Sequence, residues 1–270
     1  MIVDSHFHAW SSDGDFAADR AYLPATAKSI DDGLAVQARH GVTHGVLIQP
    51  SFLGTDNSYI LDCLRAHPDQ LRATVVVDPD IPEAELEAMD RLGVVGFRLN
   101  LHSSKTMPNY TSPAYHRLFE WAAAHDWHAE VLAQGAIWAD VLQHLRPWKL
   151  TVVVDHFGIP NPRLDPDEAG VDAILAAGCE GRAWVKFSAP YRQSIPDLSG
   201  YAARLLAAFG RERVVWASDY PWTKHEEGQS YQALLDALAD WVPEDELRRA
   251  ILGPNAARLF RFREPGRTVS

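Results

Sequence analysis

Eight short runs of apolar and β-branched residues recur along the chain, and segments with helical spacing of their apolar positions separate them. The runs are rich in Val, Ile and Phe with few interruptions, which suits strands buried on both faces of a parallel sheet. The predicted strands are Ile2–Ala9, Thr43–Pro50, Arg72–Pro79, Val94–Leu101, His128–Gln134, Thr151–Gly158, Arg182–Ala189 and Val214–Trp222.

The segments between these strands are predicted to be helices. Ser29 is a candidate N-cap for the first helix, and Pro82 followed by acidic residues is a typical first turn for the third. The predicted helices are Ile30–His40, Asn57–His67, Pro82–Leu92, Pro113–His125, Ala136–Leu145, Val171–Ala177, Pro196–Phe209 and Tyr231–Trp241. Glu244–Phe260 is predicted as an extra closing helix, and the tail Arg261–Ser270 as mobile.

A strand followed by a helix, repeated eight times, is the pattern of a (β/α)₈ TIM barrel. Such a barrel typically needs about 250 residues, and the chain has 270 with no linker or shift in composition. We therefore predict one barrel domain over residues 1–270, with some distortion allowed. The rival, a doubly wound open sheet, would carry a Gly-rich turn after its first strand. The first strand here is followed instead by residues that include two histidines.

The chain is acidic, with 25 Lys+Arg against 36 Asp+Glu and a formal net charge of −11. This balance argues against nucleic acid and anionic membranes as partners, although local arginines could still bind a small anion. Only two cysteines occur, too few for a disulfide framework. There is no signal-peptide pattern and no run of about 18 apolar residues. We predict a cytoplasmic protein, and the sequence leaves a homo-oligomer open.

Histidines stand where two predicted strands end. Catalytic groups of a barrel project from the C-terminal strand ends, and side chains two apart on a strand point the same way. His6 and His8 can therefore enter one pocket. His156 follows the apolar run of the sixth strand, where packing does not need a polar group. Imidazoles so placed can polarise a carbonyl oxygen or bind a divalent metal.

Carboxylates stand at the ends of the sixth and eighth strands. Asp219 follows the eighth run, and its carboxylate could take a proton from water or ligate a metal. The alternative is an N-cap for the next loop. Asp155 is predicted to point away from His156, by strand alternation, and to have a structural role.

Two arginines are candidate anion ligands, because a guanidinium suits planar, bidentate carboxylate recognition. Arg98 lies inside an apolar strand with Asn100 two residues on, and is costly there without an anionic partner. That partner is predicted to be a substrate, the alternative being an internal ion pair with a barrel carboxylate such as Glu130. Arg192 lies just beyond the seventh strand, where a solvated loop arginine is equally compatible.

These residues lie in a set of short motifs that spans nearly the whole chain. The motifs are DSHFH at 4–8, GTDN at 54–57, GFRLN at 96–100, VDHFG at 154–158, KFSAPYR at 186–192, SDYP at 218–221 and NAARLF at 255–260. In this order the chain resembles the amidohydrolase superfamily (amidohydrolase-related family 2). More closely, it resembles the branch that holds 2-pyrone-4,6-dicarboxylate lactonase and the sugar-lactone hydrolases.

The resemblance implies hydrolysis at a carbonyl, and in metal-dependent relatives the paired histidines and the last aspartate hold a divalent metal. The fifth strand ends here in Leu132, Ala133 and Gln134, without the histidine of decarboxylase-like zinc relatives. The dicarboxylate lactonase is similar in this respect and works without metal. No cofactor is therefore expected, with Zn²⁺ or Mn²⁺ as the alternative.

The resemblance also suggests further substrate contacts. Ser51 falls where the branch has a substrate-contacting serine, and Tyr22 is a looser candidate on the first loop. Where the lactonase has an arginine soon after the sixth strand, this chain has Gly158, Ile159 and Pro160, so one carboxylate or another single anion fits better than two carboxylates.

The hypothesis is thus hydrolysis of a small carboxylated lactone. Asp219 is the predicted base, and the three histidines polarise the carbonyl. The alternatives are a Zn- or Mn-dependent hydrolase or decarboxylase of a small acid, and a non-catalytic barrel that binds one.

Overall fold

The computed structural model describes residues 1–12, 16–17, 22–102 and 107–263. In this part of the chain, eight strands form one sheet in which each strand pairs in parallel with the next along the sequence. They are β1 Val3–Phe7, β2 His44–Ile48, β3 Leu71–Val75, β4 Val94–Asn100, β5 His128–Leu132, β6 Val152–Val154, β7 Ala183–Phe187 and β8 Val214–Trp216.

The sheet curls until its first and last strands meet. Phe7 forms an isolated parallel bridge with Tyr220, the His8 amide donates to the Tyr220 carbonyl at 2.8 Å, and the Asp219 amide donates to the His6 carbonyl at 2.9 Å. The junction forms just beyond β8, because that strand has only three residues. The predicted (β/α)₈ barrel is confirmed as a nearly closed barrel, and the eighth predicted strand is shorter than expected.

Helices connect the strands in the predicted order. Ser29 caps the first helix in a capping box with Asp32, as its position predicted. The helices of the described residues are α1 Ile30–Arg39, α2 Ser58–Ala66, α3 Glu83–Leu92, α4 Pro113–Ala124, α5 Ile137–Leu145, α6 Ala169–Cys179, α7 Leu198–Phe209, α8 Tyr231–Trp241, α9 Asp245–Leu252 and α10 Pro254–Leu259. None of them is both long and apolar enough to span a bilayer.

The extra helical segment predicted over Glu244–Phe260 is present, but it forms two helices, α9 and α10, and not one. Pro254 has no N–H to continue the ladder of α9 and instead occupies the first turn of α10. A Cβ at Gly253 would lie 2.7 Å from the Met1 carbonyl oxygen, so only glycine fits this junction. The predicted mobile tail falls mostly on residues 264–270, outside the described part.

The bottom of the barrel is apolar and its top is polar. The apolar plug joins inward residues of several strands to side chains of α10, and it comprises Val3, Val46, Ile48, Val95, Val153, Trp184, Val215, Ala256, Ala257, Phe260 and Phe262. Above it lie charged side chains from the middle strands, all buried: Arg98, Glu130, Asp155 and Lys186. This layer supports the pocket at the C-terminal ends of the strands.

Candidate active site

Three imidazoles surround one carboxylate oxygen at the top of the barrel. Oδ1 of Asp219 lies 3.7 Å from Nε2 of His6, 3.6 Å from Nε2 of His8 and 3.7 Å from Nε2 of His156. All four residues are buried, with 6% exposure or less. The strands β1, β6 and β8 are far apart in sequence, and barrel closure alone brings their ends together. The structure therefore brings together the four predicted catalytic residues.

The other oxygen of Asp219 is held by neighbours from the end of β7. Nε of Arg192 donates to Oδ2 at 2.8 Å, and the Tyr191 hydroxyl donates to it at 2.6 Å. Burial raises the pKa of Asp219, but Arg192 and His156 outweigh burial and hold it well below the ordinary value. Asp219 is consequently ionised at any working pH, with Oδ1 facing the imidazoles.

The histidines are held by their second ring nitrogens. Nδ1 of His8 donates to the Ile48 carbonyl at 2.7 Å, and Nδ1 of His156 lies 2.7 Å from Oγ of Ser188. Burial lowers the pKa of His156 to about 4 and that of His6 well below its ordinary value. Both rings are therefore neutral near pH 7, and each can donate only through the nitrogen that carries its proton.

The prediction that Asp155 points away from His156 is wrong, because both side chains turn into the barrel. Strand β6 ends at Val154, and His156 has a positive φ of 50° in a tight turn. Strand alternation therefore no longer applies at this pair. Oδ1 of Asp155 lies 3.3 Å from Nδ1 of His6, and Oδ2 accepts from Arg98 at 3.2 Å.

Both predicted anion-binding arginines have acidic partners within the protein. Arg98 forms an ion pair with Asp155 and lies 3.7 Å from Glu130. The internal ion pair that the sequence left open as an alternative therefore exists, but its main partner is Asp155 and not Glu130. Arg192 pairs with Asp219 and donates to the Thr223 carbonyl at 3.2 Å. Both arginines nevertheless line the pocket, where a substrate anion could share them.

The pocket above this centre has a volume of about 230 Å³. Every predicted substrate-contacting residue lines it: Arg98, Arg192, Ser51, Tyr22 and Asn100. The Tyr22 hydroxyl donates to Glu226 at 2.8 Å across the mouth. Asn100 offers a buried side-chain oxygen that has no hydrogen-bond partner among the described residues.

Among the polar residues that line the pocket, sequence reasoning assigned no substrate contact to His102, Thr223, Lys224 and His225. They lie on loops without a motif, so no pattern indicated them. Sequence reasoning also gave no role to the Lys186–Glu130 pair. Both residues are charges inside apolar strands, which is the same signal that indicated Arg98. The lining is cationic in a chain whose net charge is −11.

Fold and site together define the class: a parallel α/β barrel with a histidine–carboxylate centre at the C-terminal ends of its strands. The sequence model of the amidohydrolase family matches residues 3–262. The chain belongs to the amidohydrolase family. The resemblance noted from the motifs is thereby confirmed, as is the prediction of an enzyme of that superfamily.

The similarity between the chain and its relatives extends over most of the length of each protein. The 4-sulfomuconolactone hydrolase of Hydrogenophaga intermedia is 25% identical, over 95% of this chain and 88% of that protein. The 2-pyrone-4,6-dicarboxylate hydrolase of Comamonas testosteroni is 26% identical, over 96% and 89%. A solved structure from Pseudomonas putida, provisionally named 2-pyrone-4,6-dicarboxylic acid hydrolase, is 36% identical, covers 97% of both chains and has a TM-score of 0.88.

Proposed function

We propose that this protein hydrolyses a small carboxylated lactone by direct attack of water on the ring carbonyl. The observation that carries the proposal is the convergence of His6, His8 and His156 on the free oxygen of Asp219, beside two arginines in one small pocket. The named relatives that hydrolyse lactones support the reaction type. The cationic lining supports an anionic substrate.

Arg98 and Arg192 orient the substrate in this proposal. A guanidinium binds a carboxylate through parallel hydrogen bonds, which fixes the ring relative to the imidazoles. Arg98 is 5% exposed, so the contact forms in a largely desolvated place where charge interactions are strong. Ile159 is buried and apolar. It offers no second cation beside β6, so we propose a monocarboxylate.

The imidazole N–H groups on the pocket side polarise the lactone carbonyl, and Asp219 moves the proton. Donors aimed at the developing oxyanion stabilise the tetrahedral intermediate. As the water oxygen bonds to the carbonyl carbon, Oδ1 of Asp219 takes a water proton. The ring C–O bond then breaks, and the same proton passes to the leaving ring oxygen to give a hydroxy acid. The low pKa of Asp219 makes it a weak base, so most of the rate enhancement must come from carbonyl polarisation.

The same residues also fit a divalent metal by donor type and spacing. His6, His8 and Asp219 bring ligand atoms within 4.8 Å of one another, and separations of 3.2–3.7 Å suit a tetrahedral zinc shell. These three side chains, with His156 nearby, would hold the ion, which would supply Lewis acidity toward a carbonyl. This is the second candidate, a metal-dependent hydrolase or decarboxylase.

The proposal is tested by metal analysis of the purified protein and by pH-stat assays of a lactone panel before and after chelation. The panel contains pyrone carboxylates, muconolactones and aldonolactones. We expect chelator-resistant hydrolysis of a monocarboxylated lactone. Stoichiometric metal with chelator-sensitive turnover would favour the second candidate. A thermal-shift rise with ligand but no consumption of any lactone or acid would indicate a non-catalytic binder.

The pH profile of kcat/KM is expected to be level from about pH 7 to about pH 5 and to fall below about pH 4. His156, with its pKa lowered to about 4 by burial, gains a proton only as the pH falls through that value. The added N–H then donates to the Asp219 carboxylate, which is no longer available to accept a proton from water. A stopped-time assay across this range measures the profile. An acid limb near pH 6.5, the ordinary histidine pKa, would contradict the assignment.

We propose further that the chain works as one catalytic unit over residues 1–270, since the family match runs from residue 3 to residue 262. A cytoplasmic location is proposed from the two cysteines, Cys63 and Cys179, which are both free thiols. Limited proteolysis and fractionation of the native host test these two statements.

A further inference from the structure

Lys186 lies fully buried in β7, directly beneath the histidines, and its ammonium group contacts three acceptors. Nζ lies 2.5 Å from Oε2 of Glu130, 3.2 Å from Oδ1 of Asp155 and 3.2 Å from Nδ1 of His6. An ammonium has three N–H donors and no acceptor. All three donors therefore have a partner if, and only if, Nδ1 of His6 carries a lone pair rather than a proton.

The other face of the His6 ring is compatible with the same arrangement. Nδ1 of His8 faces the Ile48 carbonyl at 2.7 Å, and a carbonyl can only accept, so His8 carries its proton on Nδ1. The Nε2 of neutral His8 is then a bare acceptor, and it lies 3.2 Å from Nε2 of His6. Two bare nitrogens would repel at that distance, so a proton on Nε2 of His6 suits this contact as well.

The carboxylates near His6 do not reverse this assignment. Asp155 and Glu130 approach Nδ1 at 3.3 and 3.4 Å, and either could accept from a protonated Nδ1. Glu130 Oε1, which has no hydrogen-bond partner among the described residues, also faces the equally unpartnered Nε of Arg98 at 3.7 Å, so its nearest unused donor is the guanidinium. Asp155 already accepts from Lys186 and Arg98. Placing the proton on Nδ1 would leave one Lys186 donor unpaired and would set two bare Nε2 atoms 3.2 Å apart.

We infer that Lys186 is a positioning residue that holds His6 in its Nε2–H tautomer, so that the pocket-side nitrogen of the ring carries a hydrogen-bond donor, shared with Nε2 of His8 at 3.2 Å. This inference rests on the proposed function for its catalytic meaning. A neutral His6 with a bare Nε2 would repel a developing oxyanion, whereas an Nε2–H stabilises it. The charge that decides this lies below the pocket and does not contact the substrate.

Glu130 keeps the lysine in place. Burial and the Asp155 charge raise the pKa of Glu130, but Lys186 and His128, whose Nε2 lies 3.7 Å from Oε2, outweigh them and lower it to about 2. His128 in turn lies 3.1 Å from the Thr74 hydroxyl. A Cβ at position 96 would lie 2.6 Å from the His128 ring, so Gly96 leaves the space that this support requires.

The test begins with ¹⁵N-histidine NMR of the wild-type protein, which separates protonated from bare ring nitrogens. A His6→Asn variant assigns the His6 signals. We expect a protonated Nε2 and a bare Nδ1 at His6. The reverse pattern in the wild type would overturn the inference. This measurement needs no substrate, so its outcome is independent of whether the protein hydrolyses lactones.

The variants then remove the lysine without leaving a bare carboxylate. Lys186→Met alone leaves the buried Glu130 carboxylate without its cation, which can impair folding. The double variant Lys186→Met with Glu130→Gln is therefore made as well. In the folded double variant we expect a shift of the His6 proton toward Nδ1. We also expect kcat on the best lactone of the panel to fall about 100-fold, with KM within about threefold.

Two comparisons make the result specific. Lys186→Gln keeps an N–H donor and should recover part of both the NMR pattern and kcat. Lys149→Met, at an exposed lysine, should change neither. A folded double variant with an unchanged His6 pattern, or with unchanged kcat, would overturn the positioning role. If the wild type hydrolyses no lactone, the proposed function fails and the NMR pattern alone decides the inference.

Discussion

Replacing Asp219 with asparagine is expected to lower kcat by about 1000-fold while KM changes by less than about threefold. Asparagine has the same shape, and its amide oxygen can still accept from Arg192 and Tyr191. The pocket therefore keeps its form, and substrate binding is largely preserved. What is lost is the free oxygen that faces three imidazoles at 3.6–3.7 Å, the proposed proton acceptor. Steady-state kinetics on the best lactone of the panel measures both constants.

Tyr191→Phe is the matched control, because it removes one 2.6 Å hydrogen bond to the same carboxylate and leaves the base in place. Its loss in kcat should stay within about tenfold, in keeping with a single hydrogen bond to a charged group. An Asp219→Asn variant that retains most of its kcat would refute the assignment of the base. A loss that appears only in KM would mean that Asp219 binds substrate instead.

Replacing Arg98 with methionine is expected to raise KM about 100-fold, equivalent to about 3 kcal/mol of lost substrate binding. The guanidinium lines the pocket and is the buried cation proposed to bind the substrate carboxylate. The same change removes a partner from Asp155, 3.2 Å away. Because an uncompensated buried charge is costly, the free energy of unfolding should also fall by about 3 kcal/mol.

The double variant Arg98→Met with Asp155→Asn separates these two effects. Neutralising both partners should restore most of the free energy of unfolding, measured by urea titration, while KM stays high. If KM returned to the wild-type value in the double variant, Arg98 would serve only the internal ion pair. The substrate carboxylate would then have to be assigned to another cation, with Arg192 and Lys224 as the candidates in the lining.

The sequence alone determined the architecture and grouped the four residues of the candidate centre. Eight alternations of strand and helix leave few ways to bury every strand, and histidines in place of a Gly-rich turn after the first strand favoured the barrel over a doubly wound sheet. In a barrel the C-terminal ends of the strands share one rim. His6, His8, His156 and Asp219 could thus be grouped from their positions at strand ends without knowing any distance.

The tertiary structure alone decided which charges pair and where protons lie. His6 meets Asp155 across 149 positions of sequence, and Lys186 meets Glu130 across 56. Such contacts depend on how the strands tilt and stagger around the barrel. Asp155 turns inward because β6 ends early and His156 adopts a positive φ, which strand alternation could not predict. Short-range patterns place residues on an edge or a face, whereas the partner of a buried charge is set by side chains that meet only after the barrel closes.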